Sequence, residues 1–223
     1  MMIKSLIPAA ALVFSASLLS ASQAACPPGL TQEDIVPPTD KSRTFIRLGA
    51  GEFGSARGSK THTGVDILTR ASYPDREAYA VYALGAGTVA YAKFNGVTLD
   101  DGFGNTIVVD HGNDCYSMYA HLASDPFTPM NDESSALLMS KGQTVAKGEL
   151  IGYFVDQTVG VHSTGNAMRT AAGARWQTHF ELWHAPSGRS GATLKAIYGE
   201  EANRTDPTST LLSLGYKIED IAQ

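Results

Sequence analysis

Asn105-Thr-Ile-Val-Val-Asp110 and Cys115-Tyr-Ser-Met-Tyr-Ala-His121, separated by His111-Gly-Asn-Asp114, are the stretch that decides the fold. Both runs are short and rich in β-branched and aromatic residues, and the four residues between them are turn formers, so the stretch reads as strand, turn, strand. Outward in both directions the same grammar recurs. Thr44 to Leu48, Ala80 to Ala83, Thr88 to Phe94, Leu150 to Val155 and Thr178 to Trp183 are further short runs of Val, Ile, Tyr and Phe between Gly-containing turns. Seven such strands without helices between them predict a mainly β chain with an antiparallel sheet or sandwich core in a single domain. The 22 glycines suit a chain with many turns. One short helix is expected near the end, with Asp206 as cap, Pro207 at the first helical position, Leu211 and Leu212 within it and Gly215 just past the end.

The ends of the chain differ from this core. Residues 1–24 combine Lys4, an apolar stretch from Leu6 to Leu19 and the small residues Ser22 and Ala24, the pattern of a secretory signal peptide. The stretch is too short and too rich in Ala and Ser for a membrane span. Residues 25–43 carry Pro27, Pro28, Pro37 and Pro38 and read as an extended arm; the domain is expected over 44–215, with a C-terminal tail at 216–223.

The 223 residues are 43% hydrophobic and 17% charged, which excludes a disordered or collagen-like chain. The net charge of −5, about −6 once Lys4 leaves with the signal, comes without any Lys/Arg cluster, so no nucleic acid partner is expected. Export points to a secreted or periplasmic protein. Its two cysteines, Cys26 and Cys115, would then be free to pair, and closing a loop of about 90 residues is worth on the order of 4 kcal/mol. The alternative reading of Cys26 is a lipidated first residue, against which Gln23 stands three positions upstream.

Two polar insertions, Ser124 to Ser140 and Asn166 to Arg175, break the strand rhythm. Three other segments carry the chemistry. In His62-Thr-Gly-Val-Asp66 a spacing of four places an imidazole and a carboxylate on one face, where they can share an ion. In Tyr119-Ala-His121-Leu122 the histidine ends a strand. In Gln177-Thr-His179-Phe-Glu181-Leu182 the residues Phe180 and Leu182 suit a buried face and Gln177, His179 and Glu181 line the opposite one. Each segment alone also fits an ordinary capped or half-buried strand. Asp100-Asp101-Gly102 reads as a turn, and His111 and His184 as structural or exposed.

In combination and order, these segments resemble the lysostaphin-type zinc metallopeptidases, endopeptidases that cut peptide cross-bridges or stem peptides of bacterial peptidoglycan. The resemblance runs from Gly51 to Gly215. It rests on Phe53-Gly54, His62-Thr-Gly-Val-Asp66, Val81-Tyr-Ala83, Gly85-Ala-Gly-Thr-Val89, Gly104-Asn105, Val109-Asp-His-Gly112, Tyr119-Ala-His-Leu122, Lys141-Gly-Gln-Thr-Val-Ala-Lys-Gly148 with Ile151-Gly152, Ser163-Thr-Gly-Asn166 and His179-Phe-Glu-Leu182. It implies a β-sheet core with a groove walled by loops, one Zn2+ per chain held by His62, Asp66 and His179, and a catalytic histidine at His121. Where the family has the first histidine of H-x-H, this chain has Gln177. Glutamine can donate a hydrogen bond to an oxyanion but cannot exchange a proton near pH 7. The family tyrosine ahead of H-x-x-x-D is also missing, since none lies between Phe45 and His62. His162 or Arg175, in or beside the second insertion, is a candidate to stand in.

The function expected is that of a secreted zinc metallo-endopeptidase on peptidoglycan peptides, with activity reduced by Gln177 and no membrane span. The alternative is a catalytically impaired peptidase-like module that binds cell-wall peptides or regulates partner wall hydrolases.

Overall fold

A computed structural model of the chain describes residues 33, 35–69, 75–95, 103–127, 137–156, 176–184 and 203–220. The strands are β1 (Thr44–Arg47), β2 (Ala56–Arg57), β3 (Lys60–Thr61), β4 (Val65–Thr69), β5 (Ala80–Tyr82), β6 (Gly87–Asn95), β7 (Gly104–Gly112), β8 (Cys115–Ala120), β9 (Leu122–Ala123), β10 (Thr144–Val145), β11 (Leu150–Asp156), β12 (Trp176–His184), β13 (Arg204–Thr205) and β14 (Ile218–Glu219). The seven strands expected from sequence are all present, and the fold is mainly β as expected.

The main sheet runs β10-β6-β7-β8-β12-β4-β1-β14; β11 joins it through β12 and in turn pairs with β5 and β9. β12 is its hub, antiparallel to β8 on one side and β4 on the other. β4 escapes the sequence reading because all five of its residues are buried. A strand covered on both faces loses the polar alternation by which strands are recognised.

Both faces of the hub are covered. Phe180 and Leu182 of β12 enter the large core with Ile46, Val65, Ile67, Ile107, Tyr119 and Phe154. On the other face Trp183 joins Val108, Met118 and Ala120 in a smaller cluster, with Phe103 against it. The polar residues that share this second face, Gln177, His179 and Glu181, are therefore buried too.

At the ends, the Val36 N–H donates to the Leu84 carbonyl and the Tyr82 N–H to the Pro38 carbonyl, at 2.8 Å each, which lays the end of the arm along β5 and the residues just after it. Residues 216–219, set apart in the sequence as a tail, belong to the fold. Tyr216 is buried, its hydroxyl accepts the Thr39 N–H, and β14 pairs in parallel with β1 through Ile46 and Ile218. The tail reading fails because periodicity cannot register a two-residue strand. The one α-helix among the described residues, Thr208–Ser213, starts where the Asp206 carboxylate accepts the Thr208 N–H and ends before Gly215 at φ +96°. No helix there is long and apolar enough to cross a membrane.

Cys115 is buried, and no described cysteine is free. Cys26, His162, Arg175, the Asp100-Asp101 turn and the second insertion all lie outside the described residues.

Candidate metal centre

Asp66 and His179 are direct cross-strand partners in the β4–β12 register. Opposed residues of an antiparallel pair project on the same face, so the register alone brings this carboxylate and this imidazole together. His62 lies just outside β4, and the chain bends between them at Gly64. The H-x-x-x-D pair therefore converges through a bend, where the sequence suggested one regular face. Gly64 is required by space: a Cβ there would sit 2.3 Å from the Phe180 carbonyl oxygen, 2.6 Å from Glu181 Cγ and 2.9 Å from His179 Nε2.

Three donor atoms face one another. His62 Nε2 is 2.9 Å from His179 Nδ1, His179 Nδ1 is 3.2 Å from Asp66 Oδ1, and His62 Nε2 is 3.3 Å from Asp66 Oδ1. All three side chains are buried, and among the described residues they are the only group of His, Cys, Asp and Glu that could hold a metal. A tetrahedral zinc with bonds of about 2.0–2.1 Å requires ligand-to-ligand edges of about 3.3 Å, so the triangle fits the ion in size as well as in donor type.

Each of the three is fixed from behind. The His62 Nδ1–H donates to the Glu52 carbonyl at 2.9 Å, which leaves the Nε2 lone pair toward the site. Arg57 Nη2 donates to Asp66 Oδ2 and to the Ala50 carbonyl, both at 2.5 Å. The His179 Nε2–H donates to Glu181 Oε1 at 2.8 Å.

The electrostatics suit a cation. Burial works against ionisation of Asp66, but hydrogen bonds from His179 and His62 and the charge of Arg57 hold its carboxyl well below the usual range. Burial likewise opposes charge on His179, yet the Asp66 and Glu181 carboxylates on either side push it up to about 9. For His62 burial prevails and lowers the value. Metal-free, this pocket stabilises a positive charge between two carboxylates.

His121 stands between β8 and β9 with φ +55°, a left-handed backbone that non-glycine residues adopt at a cost of about 1–3 kcal/mol and that concentrates at functional positions. Its N–H donates to the Phe103 carbonyl, and its partly exposed ring lies edge-on to His179 with centroids 6.2 Å apart. Gln177, buried at 1% exposure, precedes His179 by two residues on the same strand face. The structure thus brings together His62, Asp66 and His179, with His121 beside His179, and places Gln177 on the strand face of His179. His111 proves structural: its ring bonds the Ala86 carbonyl and Ser117 Oγ at 2.8 Å each.

Sequence reasoning gave no role to Glu181, Thr63, Trp183 or Arg57. Glu181 was visible as a carboxylate on the ligand's own strand face. Arg57 sits on the β2–β3 hairpin, and nothing local ties it to Asp66.

The chain matches the model of peptidase family M23 over residues 60–188. No curated protein gives a significant match. Among solved structures it is similar to lysostaphin from Staphylococcus simulans (19% identity, TM-score 0.49, covering 82% of this chain and 56% of that one). It is also similar to a zinc-containing peptidase from Vibrio cholerae (22% identity, TM-score 0.43, 67% of this chain and 36% of that one). A third similarity is to the SpoIIQ–SpoIIIAH pore-forming complex (14% identity, TM-score 0.49, 80% and 91%). The chain thus spans little more than half the length of lysostaphin and about a third of the Vibrio protein. Since the family match extends over more than half of the sequence and encloses both strands that supply the candidate ligands, the chain belongs to peptidase family M23, the lysostaphin-type metallopeptidases.

Proposed function

We propose that this chain is an exported zinc metallo-endopeptidase that hydrolyses peptide bonds in the cross-links or stem peptides of bacterial peptidoglycan. The observation that carries the proposal is the convergence of His62 Nε2, Asp66 Oδ1 and His179 Nδ1 into a triangle of zinc dimensions. Three protein ligands is the count of catalytic zinc sites, which leave a fourth position to water or substrate. Bound there, zinc supplies Lewis acidity to a peptide carbonyl and lowers the pKa of a water molecule. His121, beside His179 and partly exposed, would take a proton from the attacking water and give it to the leaving amine nitrogen. Gln177 offers a hydrogen bond to the developing oxyanion and moves no proton. A Cys26–Cys115 disulfide would pin the arm to the start of β8 in the oxidising compartment that export implies.

Gln177 specifically favours a second reading, a peptidase-like module that keeps the fold and binds wall peptides or regulates partner hydrolases. General acid–base groups contribute about 10²- to 10⁴-fold, so losing one slows an enzyme of this kind. Incubating purified peptidoglycan with the zinc-loaded protein and weighing the products by mass separates the two. New peptide termini that vanish with a chelator support the enzyme; intact peptidoglycan under zinc-replete conditions supports the module.

A further inference from the structure

Glu181 is completely buried on the face of β12 that carries His179, and its surroundings are unusual in composition. Oε1 accepts from His179 Nε2 at 2.8 Å and from the Thr63 hydroxyl at 2.5 Å; Oε2 accepts from the Trp183 indole N–H at 2.6 Å. Every partner presents a hydrogen. Two lie at alternate positions of the same strand, and Thr63 comes from the H-x-x-x-D segment, so this one carboxylate ties β12 to the segment that supplies His62 and Asp66.

We propose that Glu181 is the positioning residue of the metal centre: by accepting the His179 Nε2–H it holds that proton in place, so that Nδ1, beside His62 Nε2 and Asp66 Oδ1, is the nitrogen that gives up its proton and ligates when zinc binds. The inference rests on the zinc-site reading above. An imidazole with Nδ1 protonated cannot ligate through that atom, and in a neutral ring the hydrogen bond made by one nitrogen decides what the other presents. Only an ionised carboxylate serves all the donors. In Glu181→Gln the amide has one acceptor end and one donor end. With its NH2 toward the indole it meets a group that can only donate. With its NH2 toward His179 it demands a lone pair at Nε2 and moves the proton to Nδ1, the ligating atom.

The test measures the Zn2+ affinity of the mature full-length chain by competition with a chromogenic chelator, with circular dichroism as the check of folding. Glu181→Gln is expected to bind zinc about 10- to 100-fold more weakly while keeping the wild-type spectrum. Adding Trp183→Phe removes the donor that opposes the amide, so the double variant should regain at least threefold of the loss. A residue that merely packs would lose further affinity on the second substitution. Affinity of Glu181→Gln within twofold of wild type, or a double variant weaker than the single, overturns the proposal. If Glu181→Gln does not fold, Thr63→Val removes one bond to the same carboxylate; a weakening of several-fold supports the proposal and an unchanged affinity overturns it. Wild-type protein that binds no zinc overturns the functional reading beneath it, a separate outcome.

Discussion

Replacing Gly64 by alanine should damage both the stability of the domain and its metal site. The backbone at Gly64 is not in the left-handed region, so alanine meets no conformational penalty there and, by restricting the unfolded chain, would favour folding by about 0.4–1 kcal/mol. Sterics decide otherwise. The new Cβ would stand 2.3 Å from the Phe180 carbonyl oxygen, roughly 1 Å inside ordinary contact, and 2.6 Å from the Cγ of the fully bonded Glu181. Neither neighbour is the free end of a flexible side chain, so the bend must retreat from β12. Overpacking of this kind costs about 1–3 kcal/mol, and contact with backbone puts Gly64→Ala at the upper end, for a net loss of about 2 kcal/mol. For a domain of this size that lowers Tm by about 4–8 °C. The bend carries His62 and Asp66, so the same retreat opens a triangle whose edges are now 2.9–3.3 Å and weakens zinc binding at least tenfold. Gly152→Ala is the control, since the atoms nearest its Cβ belong to the Leu122 side chain at 3.3–3.4 Å. Thermal unfolding and zinc competition read both effects. A Gly64→Ala protein as stable as the Gly152→Ala control and with wild-type zinc affinity would refute the reasoning.

Other substitutions test the chemistry. His121→Ala should lower kcat by about 10²- to 10⁴-fold with zinc content unchanged, and Gln177→His should raise the rate about tenfold or more; peptidoglycan left intact by wild type and both variants contradicts the enzyme. Non-reducing peptide mapping of exported protein should find Cys26 joined to Cys115; two free thiols, or a diacylglycerol mass on Cys26, reject the bridge. Burial lowers the His111 pKa more than the Ala86 carbonyl and the charge of Asp110 raise it. The unfolded chain therefore binds a proton that the folded one refuses, and stability should fall as pH drops below about 6.5. His111→Gln should flatten that slope between pH 7 and 5, and an identical slope counts against it.

Strands such as β7 and β8 were legible because hydrophobic content and turn chemistry agree locally. β4 was not, because its burial on both faces erases alternation, and β14 was not, because two residues carry no period. His62, Asp66 and His179 could be named from spacing joined to resemblance. That Asp66 and His179 face each other is a fact of register between strands more than a hundred residues apart, which no local pattern encodes. The bond from Arg57 to Asp66 spans only nine residues, but it reaches across the β2–β3 hairpin, and no periodicity links the two positions. Glu181 was readable as a face-sharing neighbour of His179, but its role depends on Thr63 and Trp183 presenting only hydrogens to it, and that is a property of three dimensions.

The central claim, that His62, Asp66 and His179 form one catalytic-type zinc site, is tested most directly by elemental analysis of the purified mature chain and its Asp66→Ala variant after reconstitution and removal of excess metal. About one zinc per wild-type chain, and loss of tightly held zinc in Asp66→Ala, is the predicted result. Wild-type protein that retains no zinc, or an Asp66→Ala protein that retains as much as wild type, would contradict it.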